Sequence, residues 1–244
     1  MILGIVGAAA AAMIAVEQLA ARNTWPRIPR WWLRAITLNG VQVALVICAG
    51  RLWDGWLHAH RPWSAAGLGT LGGVALGYLA ITLVYYAWHR ARHEVDFLWR
   101  WLHQLHHSPQ RLEIATSFYK HPLEIALNGL LSSAVVYLLV GLELREASLV
   151  VLATGLAELF YHWNVRTPYW LGFVFQRPES HCIHHERGRH AQNYSDLPIW
   201  DMLFGTFENR PRFAGECGFD ALRELQLGAM LRGRDVNAAA RDDA

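Results

Sequence analysis

Residues 68–107 read LGTLGGVALGYLAITLVYYAWHRARHEVDFLWRWLHQLHH, and this stretch decides the fold. Leu68 to Trp88 is an apolar run about as long as a membrane-spanning helix requires. Its glycines at 69, 72, 73 and 77 contain a GxxxG step, which suits close helix contact in lipid. The run ends directly in His89-Arg-Ala-Arg-His93, and His103-Gln-Leu-His-His107 follows. Residues four apart on a helix share a face, with Cβ atoms roughly 5–6 Å apart. His89 and His93 can therefore reach toward one metal ion, and His103, His106 and His107 repeat the arrangement at i, i+3 and i+4, as a triplet that could serve one metal by itself or bridge to the next. The pattern predicts a spanning helix that carries a histidine site at one membrane surface.

Working outward, four more apolar segments appear. Ile2 to Ala21 lacks the basic start of a signal peptide and reads as a retained helix. Trp31 to Ala49 opens on the interfacial pair Trp31-Trp32. Leu123 to Leu142 and Ala147 to Tyr161 are separated only by Glu143–Glu146, so they should form an antiparallel hairpin. No segment alternates as a strand does. The expected fold is all-α: an integral-membrane helical bundle with a cytoplasmic, histidine-rich cap for two metals. Its expected parts are N-terminal spanning helices over 1–66, a catalytic domain over 67–213 and a C-terminal tail over 214–244. The polar stretch Arg232 to Ala244 is expected to be disordered.

Composition agrees. Charged residues make up 17% of the chain, against roughly 25% in soluble proteins. A net charge of +2 without a basic run gives no support for nucleic acid as a partner. Three cysteines form no CxxC pair, so neither a disulfide scaffold nor a cysteine metal site is indicated. Arg22, Arg27 and Arg30 between the first two segments, with Arg34 at the start of the second, place that loop in the cytoplasm. Counting spans from there puts residues 89–121 and everything after Tyr161 on the same side.

A third cluster, His181, His184 and His185, repeats the spacing of the second. Glu158 and His162, again four apart, close the fifth segment. An ionisable group there is costly, so Glu158 is a candidate ligand, a partner of one, or an arginine's counter-ion. His121 precedes Pro122, a residue suited to a helix's first turn, and is expected to cap that helix or orient a ligand. His58 and His60 fall on the opposite side and are excluded, while His190 stays open. Imidazole suits iron, copper, nickel and zinc alike, so the spacing specifies a metal without choosing it. A membrane metal-binding or transport protein, a bis-histidine haem protein and a zinc-dependent hydrolase remain rivals to an oxygenase.

The three boxes, together with Trp99–Ser108, His121-Pro-Leu-Glu124, His162–Arg166 and the stretch Asn193–Thr206 ending in Trp200-Asp-Met-Leu-Phe-Gly-Thr206, resemble the fatty acid hydroxylase / sterol desaturase superfamily. The resemblance covers about half of the chain, from residue 85 to 208. It implies two iron ions held almost wholly by histidine, with zinc possible in purified protein. The implied ligands are His89, His93, His103, His106, His107, His162, His181, His184 and His185, with Glu158 a further candidate. His121, Asn193 and Asp201 would support them. It also implies hydroxylation or desaturation of a membrane lipid, such as a fatty acyl chain, sterol or aminolipid, by O2. The chain carries no His-Pro-Gly-Gly haem motif, so a separate ferredoxin or cytochrome b5 type donor is expected. Two departures stand out: Ser195 replaces a glycine of the family's pattern, and Glu158 stands where some relatives carry histidine. The short, arginine-rich chain suggests a bacterial inner membrane.

Overall fold

A computed structural model describes residues 2–237 of the chain. Among these the regular elements are all helical, and the only strand-like feature is an isolated bridge between Glu186 and Cys217. Helix α1 is Ile2–Ala20 and α2 is Trp31–Ala49. A wide turn at Gly50–Asp54 carries α2 onward, making one helical stretch Trp31–Ala59. Helix α3 is Gly69–Glu94, α4 is Gln104–His107 and α5 is Pro122–Ser133, extended by a wide turn to Leu139. Helix α6 is Leu144–His162, α7 is Pro178–His184 and α8 is Pro198–Phe204.

Three stretches, Trp31–Ala59, Ala66–Glu94 and Pro122–Leu139, are long and apolar enough to cross a membrane. Helix α1 supplies a shorter apolar stretch, Gly4–Ala20. The apolar core lies between α3, α5 and α6, around Ile81, Val136, Leu142 and Val150. Gly73 and Gly77 let α3 approach closely: a Cβ on Gly77 would lie 2.7 Å from Leu142 Cδ1 and 2.8 Å from Val150 Cγ2. The GxxxG step is therefore a contact surface here, and packing of small residues is what holds helices together where lipid competes for apolar surface.

The connections sort onto two sides. Arg22 N–H donates to the Asn164 carbonyl at 2.8 Å, and the Arg22 guanidinium lies 3.4 Å from Glu179. Arg34 pairs with Glu224 at 3.1 Å. The arginine-bearing first loop thus lies against the histidine cap. At the other end Arg61 pairs with Glu143 at 2.6 Å, and His58 sits 3.3 Å from the same carboxylate. His58 is thereby held away from the cap, as its place in the sequence implied.

The disorder expected for Arg232 to Ala244 is not found over residues 232–237. Gln104 donates to the Arg234 carbonyl at 2.7 Å, and Val236 packs beside Trp99, Phe219 and Met230. Residues 232–237 are docked because their backbone completes the polar contacts of a buried glutamine. Residues 238–244 lie outside the described part. Gly218, at φ +73°, lets the preceding segment cross the cap: a Cβ there would fall 2.2 Å from the Pro109 carbonyl oxygen.

Candidate metal centre

Nine histidines gather in two groups. His89, His93, His103, His107 and His184 form one, and His106, His162, His181 and His185 form the other. Within each group the potential ligand atoms all lie within 4.8 Å of one another. The boxes do not each build one centre. Helical geometry explains why: positions i and i+4 lie about 40° apart around the axis, whereas adjacent residues diverge by about 100°. His103 and His107 therefore share the first group while His106 turns to the second. His181 and His185 share the second while His184 turns to the first.

Hydrogen bonds at the outer ring nitrogen fix several of these side chains. His89 Nδ1 donates to the Tyr194 carbonyl at 2.8 Å, and His184 Nδ1 to the Gln192 carbonyl at 2.6 Å. His162 Nδ1 donates to the Glu158 carbonyl at 2.8 Å, one turn back on α6. His103 Nδ1 donates to the Glu124 carboxylate at 3.0 Å, which also pairs with Arg92. A neutral imidazole that donates from Nδ1 must present a lone pair at Nε2.

At the first group two such lone pairs face each other: His89 Nε2 and His103 Nε2 are 2.9 Å apart, and two acceptors cannot bond without a cation between them. In the second group His162 Nε2 lies 3.1 Å from His181 Nε2. The buried atoms His93 Nε2, His184 Nε2, His106 Nδ1, His181 Nδ1 and His185 Nδ1 have no hydrogen-bond partner. Buried polar atoms are ordinarily paired, so unpartnered ring nitrogens in groups whose ligand atoms lie within 4.8 Å of one another fit a pair of bound metal ions.

Burial also keeps the rings neutral. It holds His103, His106, His107, His181 and His185 well below the usual imidazole range and pushes His184 down to about 3. Arg92 adds to the effect at His103, and Lys120 does so at His106. Neutral imidazole is the form that binds metal.

The remaining predicted residues take other places. Glu158 belongs to neither group; its carboxylate accepts from Lys120 Nζ at 2.7 Å and lies 3.7 Å from His162 Nδ1. His121 caps α5: Nδ1 accepts from Leu123 N–H at 3.1 Å, and Nε2 donates to the Leu231 carbonyl at 3.3 Å. His190 is beside the first group, with Nδ1 3.2 Å from that of His107. Asn193 knits its loop together, donating to the Ser180 and Glu208 carbonyls. Asp201 accepts from the Tyr194 and Ser195 N–H groups at 2.7 and 3.0 Å, so it holds the peptide whose carbonyl meets His89. His190, Gln192 and Asn193 adopt positive φ, the tight path that aims the Gln192 and Tyr194 carbonyls inward.

Arg92 and Gln192 were not singled out from sequence, and Glu124 and Tyr194 were quoted only within motifs, without a role. Glu124 left a signal, a carboxylate in the first turn of an apolar helix. Gln192 and Tyr194 act through backbone carbonyls, which side-chain identity does not encode.

A family model described as fatty acid hydroxylase matches residues 74–206, more than half of the chain. An alkylglycerol monooxygenase from Danio rerio is 27% identical over 74% of this chain and 38% of its own length. The ornithine lipid hydroxylase OlsE from Rhizobium tropici is 35% identical over 57% of this chain and 43% of its own length. A very-long-chain aldehyde decarbonylase from Oryza sativa subsp. indica is 29% identical over 54% of each chain. The chain thus spans about two fifths of the first two relatives' length. No solved structure matches it significantly.

Proposed function

Because the chain belongs to the fatty acid hydroxylase family, we propose that it is a membrane-bound di-iron oxygenase that hydroxylates, or desaturates, a lipid with O2. The observation that carries this reading is the pair of interlocked histidine groups, in each of which one ring nitrogen per residue lies within 4.8 Å of all the others. The names of the relatives, an alkylglycerol monooxygenase and an ornithine lipid hydroxylase, support a substrate with a polar head group and an apolar chain.

The nine histidines would hold the two ions, with Glu158 serving as the counter-ion of Lys120. When bound, iron supplies O2 activation and the one-electron chemistry that attack on an unactivated C–H bond demands. The chain's own residues do the rest. Glu124 and the carbonyls of Glu158, Gln192 and Tyr194 lock the tautomer and aim of four rings. Burial excludes water, and the apolar helices beneath bring the lipid chain to the centre. The site faces the cytoplasm of a bacterial inner membrane in this reading, a placement supported by the arginines of the first loop. A separate ferredoxin or cytochrome b5 type protein supplies the electrons.

Metal analysis of anaerobically purified protein, followed by reductant, O2 and mass spectrometry of candidate lipids, tests the proposal. Iron and an O2-dependent product gaining one oxygen, or losing two hydrogens, are expected. His106→Ala and His184→Ala should abolish the product while membrane insertion persists. Unchanged turnover by either variant, or hydrolysis by a zinc-loaded protein without O2, overturns it.

A further inference from the structure

Helix α8 lies beside α3 well inside the apolar run, not beyond its end. Trp200 Nε1 donates to Thr82 Oγ1 at 3.0 Å, and Ser195 Oγ donates to the Thr82 carbonyl at 3.2 Å. Thr82 precedes Trp88, where the apolar run of α3 ends, by six residues. At 1.5 Å per residue that is about 9 Å inside the apolar stretch. Four residues nearer the end, the Tyr86 ring stacks on Phe204 with centroids 5.0 Å apart, and Tyr86 OH lies 3.0 Å from Thr206 Oγ1. The chain therefore descends to Thr82 and climbs back along α3 as a helix.

The outward face of this helix is apolar. Ile199 is 55% exposed, Leu203 67% and Phe204 48%, while the helix's one charged residue, Asp201, is turned inward and buried. Exposed Trp170 and Phe173 stand on the neighbouring turn Tyr169–Phe173. Contiguous apolar surface of this kind marks an interaction site. Its level on α3 is also that of the exposed Leu79 and Leu83, so it continues the helix surface that faces lipid. The irregular backbone at this depth is satisfied by protein: Ser195 N–H donates to Asp201, Leu197 N–H to Ser195 Oγ, and the Asp196 carbonyl accepts from Gln176 N–H. Non-helical backbone survives at membrane depth only under that condition.

We infer that Pro198–Phe204 is a re-entrant, membrane-seated helix whose outward face contacts the acyl chains of bilayer lipids. Because Asp201 on the same helix holds the Tyr194 peptide that meets His89, the seat in the bilayer and the first histidine group form one mechanical unit. The inference rests on α3 crossing the membrane and not on the chemistry proposed above.

Fluorescent labelling of single cysteines in the full chain, reconstituted in phosphatidylcholine–phosphatidylglycerol vesicles, tests it. Cys48→Ser removes the exposed native thiol, and Cys182 and Cys217 are buried. Labels at Leu203→Cys and Ile199→Cys should be quenched by lipids bearing a nitroxide on the acyl chain and be shielded from aqueous iodide. A label at Glu216→Cys, an exposed cap position, should show the reverse. Iodide quenching at 199 and 203 as strong as at 216 overturns the inference. So does efficient cross-linking of Leu203→Cys between two copies without acyl-chain quenching, which would assign the face to a protein interface.

Discussion

The rings of His107 and His185 stack 4.0 Å apart with 12° between their planes, although one belongs to each histidine group. The two groups thus share a wall and are not independent sites. His106, by contrast, belongs wholly to the second group and His103 to the first. His106→Ala should therefore cut bound metal from two ions per chain toward one, and His103→Ala should do the same from the other side. His107→Ala removes a member of the first group and the ring against which His185 packs, so it should lower occupancy of both. The metal-to-protein ratio of purified variants reads this directly. Equal loss in all three variants would mean that the boxes act as undivided units.

That these histidines could gather was visible in the sequence, because i, i+4 spacing is a local property of helices. Their partition into two groups was not, since it depends on how α3, α4, α6 and α7 pack. His106 and His184 each stand next to a residue that serves the opposite group, and only the helix rotation decides this. The spans were readable for the same local reason, and Gly73 and Gly77 were flagged although their partners Leu142 and Val150 are remote in sequence. The supports of His89 and His184 were invisible, being backbone carbonyls placed by a loop with three positive-φ residues, His190, Gln192 and Asn193. Docking of residues 232–237 was missed because polar composition argues for solvent, whereas here their backbone serves the buried Gln104.

Glu124 joins two buried partners, His103 at 3.0 Å and the Arg92 guanidinium. Glu124→Ala leaves Arg92 buried without a counter-ion, a change that costs about 3–5 kcal/mol in comparable settings. It also frees His103 to rotate. Glu124→Gln keeps an acceptor for the imidazole and removes only the charge, so its loss should be smaller. Metal retention during dialysis against a chelator should fall roughly 10–100-fold for the alanine variant, the range typical of partners that orient ligands. Retention equal to the parent would show that His103 needs no support.

Asp201 acts on the centre at one remove. Its carboxylate collects the Tyr194 N–H, the Ser195 N–H and the Thr206 hydroxyl, the last at 2.7 Å. Asp201→Ala strips all three bonds, each worth about 1.5–3 kcal/mol when one member is charged. The Tyr194 carbonyl then loses its aim at His89. Metal should be lost selectively from the five-histidine group, leaving about one ion per chain, and Asp201→Asn should fall between. A uniform loss across both groups would point to general unfolding instead.

The buried rings set a pH dependence for the metal-free protein. The ordinary imidazole value is 6.5, and burial lowers the folded-state value of His184 to about 3 and those of His103, His106, His107, His181 and His185 well below it. Below pH 6.5 the unfolded chain binds protons that the folded chain refuses. The stability these rings contribute is therefore full above 6.5 and declines as pH falls from 6.5 toward about 3. Each such histidine costs up to about 1.4 kcal/mol per pH unit in that window. The thermal midpoint of the metal-free protein in detergent should drop steeply between pH 6.5 and 5 and be nearly flat from 7 to 8. Replacing one ring, as in His181→Asn, should make the drop shallower, because one excluded proton is gone. A midpoint that stays constant through pH 5 would mean that the rings accept protons in the folded state, and the neutral, metal-ready arrangement would have to be abandoned.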